Sequence, residues 1–94
     1  VANWPAPRAA HWRALLIARA IENQAAVIGV NRIGSDANCL DYSGDSLAVA
    51  PDGKLLADMR DEARVDQVCF DAAHLLAYRE KFPCHMDADA FNLA

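Results

Sequence analysis

The sequence is short of positive charge: nine Lys and Arg stand against thirteen Asp and Glu, a formal net charge of −4. No Lys/Arg cluster occurs, which argues against the basic stripe of a nucleic-acid binder. No apolar run approaches the roughly 20 residues that a helix needs to cross a bilayer. No charged stretch followed by an apolar one stands at the start, so no secretory signal is expected. Cysteine is sparse: Cys39, Cys69 and Cys84 are an odd number without paired spacing. They fit reduced thiols and a cytoplasmic setting better than a disulfide framework. Repeats and low-complexity segments are also missing. Val1-Ala2-Asn3 reads as the end of a buried strand, which suggests a fragment of a longer protein.

Apolar residues are plentiful, at 54% of the 94 residues. A chain this short makes one domain at most and buries its surface poorly. The surplus points to faces that something else covers. Pro5 and Pro7 close the opening strand, and a helix is expected from about Arg8 to Gln24. At about 100° per residue, Trp12, Leu15, Leu16, Arg19, Glu22 and Asn23 share one side, and Ala10, Ala14, Ile17 and Ile21 share the other. Two apolar sides imply burial on both, against a sheet and against another helix.

Ala25 to Asn31 reads as a fully buried strand, and Gly34 to Asn38 as a loop. Asp45 to Ala50 and Lys54 to Met59 form a hairpin around the turn Pro51-Asp52-Gly53. Ala63 to Phe70 is expected to be a further strand. Asp71 is placed to cap a last helix from Ala72 to about Lys81, ended by Pro83. The tail from Cys84 to Ala94 reads as irregular and extended. The fold class is α/β, in mixed layers.

Arg19 and Glu22 are three apart on the helix and can pair. With Asn23 they are expected to form a buried structural polar network tying the helix to its neighbours. None of the three cysteines sits at a strand-to-helix turn, where a thiol is commonly presented for nucleophilic attack. His11, His74 and His85, even with Cys84 and Asp87, match no zinc spacing, so no metal is expected. The loop Tyr42-Ser43-Gly44-Asp45-Ser46 reads equally well as a pocket rim or an ordinary turn. Trp4 and Arg8 stand where the first strand empties into a loop, the end of an α/β strand at which ligands bind. Arg8 could hold a carboxylate through two hydrogen bonds.

Several pieces, in order, resemble the carbon–nitrogen hydrolase (nitrilase) superfamily. They are Ala2-Asn3-Trp4-Pro5, His11-Trp12, Leu15-Leu16, Ala18-Arg19-Ala20-Ile21-Glu22-Asn23-Gln24, Gly29-Val30-Asn31-Arg32, Tyr42 to Ser46, Pro51-Asp52-Gly53, and Tyr78-Arg79 followed by Phe82-Pro83. Asn-Trp-Pro together with Tyr-Ser-Gly-Asp-Ser most resembles the bacterial omega-amidase-like branch. The resemblance implies that residues 1–94 are the C-terminal half of a single four-layer α-β-β-α sandwich domain. It implies hydrolysis of small omega-amides of 2-oxo dicarboxylic acids, without metal or organic cofactor, through a cysteine thioester.

The family's nucleophilic cysteine, glutamate base and oxyanion-stabilising lysine match no position here. No catalytic residue is carried over; the resemblance implies only a pocket wall near Asn3, Trp4 and Pro5, and the chain alone is expected to be inactive. The implied partners are the N-terminal part of the same domain and a second subunit, in a homodimer packed through helix 8–24. A tail after Pro83 that crosses to that subunit is also implied. The competing readings are a non-enzymatic α/β module binding a protein through its apolar faces, and a small thiol enzyme using Cys39.

Overall fold

The computed structural model describes Val1–Ala94. After a 3₁₀ turn at Ala6–Arg8, helix α1 spans Ala9–Asn23, followed by β1 (Val27–Gly29), β2 (Ile33–Ser35), β3 (Asp41–Ser43), β4 (Leu47–Val49) and β5 (Leu55–Asp58). Helix α2 spans Ala72–Lys81, and a second 3₁₀ turn covers Cys84–Asp87. The main sheet is antiparallel in the order β1-β4-β5, with Gly29 opposite Leu47 and Val27 opposite Val49. Strands β2 and β3 form a separate hairpin.

Helix α1 packs on β1 and β4 along a line between the two sides expected from the sequence. Ala20, Leu47 and Val49 are buried, with Leu16, Ile17 and Val27 against them, and Trp12 is buried one turn earlier. Residues 12, 16 and 20 are four apart, so they stack on one face. The close approach depends on Gly29, where a Cβ would run into the Leu16 side chain. Arg19, Glu22 and Asn23 are therefore not inside an apolar face. They are exposed, joined by an Arg19–Glu22 ion pair and a bond from the Asn23 amide to the Arg19 carbonyl. The expected burial fails because the sheet-facing line runs through Ala20 and turns these longer side chains outward.

The helix ends on Gln24 in the left-handed region (φ 45°), its N–H reaching the Ala20 and Ile21 carbonyls. Gln24 is only 3% exposed. Its side-chain amide donates to the Phe82 carbonyl at 2.8 Å, while Arg79 Nε donates to the Gln24 carbonyl at 3.0 Å. These bonds fasten α2 to the end of α1, and the Arg79 cation meets the negative end of the helix dipole. Asp71 caps α2 as expected, accepting from the N–H groups of Ala73 and His74.

Four further expectations are corrected. The strand in Ala25–Asn31 is covered on one face only: Ile28 is 61% exposed, and Val30 is bare as well. The segment Gly34–Asn38 begins inside β2. The Asp36 carboxylate closes this hairpin by accepting from Asn38 N, Leu40 N and Tyr42 Oη, a local device that loop composition conceals. Ala63–Phe70 forms no strand, and Val65 is 97% exposed. There Arg64 bonds Glu62, Asp66 and the Asp58 carbonyl, so local polar pairs take the place of a ladder. The tail also departs from its reading at the 3₁₀ turn Cys84–Asp87.

The result is a slab of 47 × 39 × 16 Å with a radius of gyration of 16.2 Å. A compact domain of this length has about 12 Å. No helix is long and apolar enough to cross a membrane.

A charged cluster pins α1 to the sheet. Arg13 Nη1 and Nη2 reach both oxygens of Asp58 at 3.0 and 2.7 Å, and Nη1 also reaches Asp45 at 3.0 Å. The hydrogen bond from Arg13 holds the Asp58 carboxyl below its ordinary value of 3.8. A depressed carboxyl contributes stability in full above its unfolded value and loses it as the pH falls through its folded value. Stability of the full-length protein is therefore expected to fall below about pH 4, and Asp58→Asn is expected to flatten that acid limb in urea titrations at stepped pH. A second expectation concerns Gly44, at φ +72°, where a Cβ would stand 2.6 Å from the Arg60 carbonyl oxygen. Gly44→Ala combines left-handed strain with a backbone clash and is expected to cost about 2–4 kcal/mol by the same measurement.

Candidate functional site

Backbone pairing joins the opening strand to the rest of the fold at one point, a parallel bridge between Ala2 and Asn31. Ala2 N donates to the Val30 carbonyl at 2.8 Å, and Arg32 N donates to the Ala2 carbonyl at 3.3 Å. Backbone pairing ends there. At Trp4 the role of a neighbouring strand passes to a side chain. Trp4 N donates to Asn31 Oδ1 at 2.7 Å, and Asn31 Nδ2 donates to the Trp4 carbonyl at 3.0 Å. The same Nδ2 donates to the Gly44 carbonyl at 2.9 Å, and Asn31 N donates to Ser46 Oγ at 3.0 Å. Asn31 is 7% exposed, with both ends of its amide satisfied.

The Trp4 ring turns toward the helix start. Its centroid lies 5.8 Å from that of Trp12, at a 44° tilt, and its indole N–H donates to the Arg8 carbonyl at 2.6 Å. Trp12 Nε1 in turn donates to the Asp45 carbonyl at 2.7 Å. Two indoles thus join the strand end, the start of α1 and the loop before β4. Trp4 is half-buried, whereas Asn3 and Arg8 on either side of it are exposed.

The loop Tyr42–Ser46 is built into this region. Asp45 has φ 55°, its N–H donates to the Arg60 carbonyl at 2.8 Å, and its carboxylate takes Arg13 and the Ser43 hydroxyl. A cavity of about 260 Å³ opens beside Asn31 and Ser46, with Arg32, Arg60 and Arg64 on its wall. The structure thus gathers Asn3, Trp4, Arg8 and the 42–46 loop at one end of the molecule. Arg19, Glu22 and Asn23 lie further along α1 and take no part.

The cysteines do not converge on this end. Cys39 is exposed in the turn between β2 and β3, and Cys84 lies in the last 3₁₀ turn. Cys69 shares a cleft of about 400 Å³ with His74, between the β4–β5 hairpin and α2. No three His, Cys, Asp or Glu side chains come together as a metal would require.

Two residues with central roles carried no assignment from the sequence, Asn31 and Arg13. The available signal for Asn31 was a lone amide closing an apolar run. For Arg13 it was a charge on the helix face that also holds Leu16, Ile17 and Ala20.

The profile of the carbon-nitrogen hydrolase family matches residues 1–79. Omega-amidase YafV of Escherichia coli K12 is 56% identical over 95 residues, covering 99% of this chain and 37% of that protein. The 2-oxoglutaramate amidase of Bacillus subtilis is 40% identical over 86 residues, covering 92% and 33%. XC1258 of Xanthomonas campestris, a CN-hydrolase superfamily protein solved with an arsenic adduct in its active site, superposes with a TM-score of 0.94 at 44% identity. That superposition covers 100% of this chain and 36% of XC1258. The chain therefore spans a little over a third of the length of the relatives it matches best among these. The α/β architecture expected from the sequence is the one found, as part of a nitrilase-like fold. Profile, relatives and fold agree, and the chain belongs to the carbon-nitrogen hydrolase family.

Proposed function

We propose that the protein to which these residues belong is an omega-amidase, hydrolysing small omega-amides of 2-oxo dicarboxylic acids to the acid and ammonia. The observation that carries this reading is the 56% identity to an omega-amidase over nearly the whole chain. The 2-oxoglutaramate amidase at 40% identity supports the substrate class. In this reading a thiolate attacks the amide carbon, ammonia leaves with a proton from a general acid, and water hydrolyses the thioester.

The nucleophile, base and oxyanion donor belong to segments outside residues 1–94, which form one part of a single domain. The flat, one-sided sheet supports the same reading, because its bare apolar face suits a companion layer of the same domain. That layer also accounts for the surface on which a separate protein-binding module would rest.

This chain contributes a pocket wall. Asn3 and Arg8 are exposed at the strand end, and Trp4 holds the backbone between them against α1. Arg8 receives the distal carboxylate of the substrate, a planar anion that a guanidinium binds through two bonds. The exposed side of α1, with Leu15 and Ile21, suits pairing with a second copy in a homodimer. Three thiols free of disulfides fit a cytoplasmic enzyme.

The full-length protein is expected to release ammonia from 2-oxoglutaramate and succinamate, and residues 1–94 alone to release none. No release by the full-length protein from any omega-amide in a panel contradicts the proposal. Arg8→Ala is expected to raise KM about 10- to 100-fold with a smaller change in kcat, the mark of a lost charge-assisted contact made in ground and transition states alike. An unchanged KM removes Arg8 from the site.

A further inference from the structure

We propose that Asn31 is a positioning residue for the substrate wall: its amide replaces a missing strand and fixes Asn3 and Trp4 in place. This rests on the reading of the Asn3–Arg8 strand end as part of an omega-amidase pocket, and it adds a residue that no sequence motif assigns to that pocket.

The chemistry at position 31 is narrowly determined. Three backbone groups converge on the side chain: the Trp4 N–H, the Trp4 carbonyl and the Gly44 carbonyl, at 2.7, 3.0 and 2.9 Å. One donor and two acceptors require a group with one acceptor atom and two N–H donors, which among side chains means an amide. A carboxylate offers acceptors only and would face both carbonyls without a proton to give. An aliphatic residue leaves all three groups unpaired in a buried place, and each buried unpaired group is unfavourable.

The geometry explains what the clamp does for the pocket. Ala2 is held by backbone bonds to Val30 and Arg32, and Trp4 is held by the Asn31 amide. Asn3 lies between two fixed points. In an extended segment neighbouring side chains point to opposite faces, so Asn3 points away from the side taken by Ala2 and Trp4. The Trp4 indole then passes the constraint to the Arg8 carbonyl. A shift of about 1 Å in a substrate-positioning group can reduce rates by about a hundredfold. Backbone pairing ends at Ala2, so without the amide the residues after it have one fewer anchor.

The test uses the full-length protein, as Asn31→Ala and Asn31→Asp, beside Asp71→Ala. The last removes the cap of α2, far from the strand end, and serves as a variant destabilised at a remote place. Measured are kcat and KM on 2-oxoglutaramate, Tm, and hydrogen exchange of the Trp4 amide. Both Asn31 variants are expected to lose at least about tenfold in kcat/KM, chiefly through KM, with Trp4 exchanging faster, while Asp71→Ala stays within about twofold. A kcat/KM within about twofold for Asn31→Ala overturns the proposal, as does an equal loss in Asp71→Ala.

Should the Asn31 variants fail to fold, exchange in the unsubstituted protein decides. Protection of the Trp4 amide by about a hundredfold or more over an unstructured peptide supports the clamp, and exchange near the free rate overturns it. If the unsubstituted protein cleaves no omega-amide, the amidase reading falls alone, because the Trp4 exchange still reports on the clamp.

Discussion

The buried amide of Asn31, at the end of β1, meets two stretches of backbone far from it in sequence: the opening strand at Trp4 and the bend at Gly44 that leads into β4. No other side chain hydrogen-bonds to both. Around it the remaining contacts fall into place. Ser46 bonds the Asn31 backbone, the Trp4 ring lies against Trp12, and Trp12 reaches the Asp45 carbonyl. Arg13 then ties that bend to β5 through Asp45 and Asp58. Hydrophobic burial alone would not select this arrangement, because it is non-directional. A satisfied buried amide does select it, since any other path of the chain leaves groups unpaired.

The apolar part of the fold is thin by comparison. Helix α1 covers one face of a three-stranded sheet, and the opposite face carries Ile28 and Val30 in the open. Such a layer has room for a companion on its bare face, and the relatives it matches are nearly three times as long. The same economy explains why Gln24 and Arg79 matter. With little core shared between the two helices, directed bonds at the end of α1 fix where α2 lies.

Much of this was legible in the sequence, for physical reasons that can be named. Helix α1 announced itself by its period, α2 by the Asp71 cap and Pro83, and the β4–β5 hairpin by Pro51-Asp52-Gly53. The nearness of Trp4 to Arg8 followed from their place where the first strand ends. The β2–β3 hairpin stayed hidden because the Asp36 carboxylate, not a hydrophobic alternation, closes it. Ala63–Phe70 misled because valines in a short run look the same whether or not a strand stands beside them. Arg19, Glu22 and Asn23 misled because a helical wheel gives relative directions but not which direction faces the sheet. That choice was made by Gly29, whose missing side chain admits Leu16. Asn31 was visible as a polar residue ending an apolar run. Its three partners are 13 to 27 positions away, beyond the reach of any local pattern.

The central claim is that this one-sided layer supplies a wall of an amidase pocket whose shape depends on a side chain standing in for a strand. A crystal structure of the full-length protein with a non-hydrolysable omega-amide analogue tests it most directly. The account predicts the analogue within hydrogen-bond distance of Asn3 or Arg8, the Asn31 amide still on Trp4 and Gly44, and Ile28 covered by another layer of the same polypeptide. An analogue bound away from the strand end, or an Asn31 amide released from Trp4 in that complex, contradicts it.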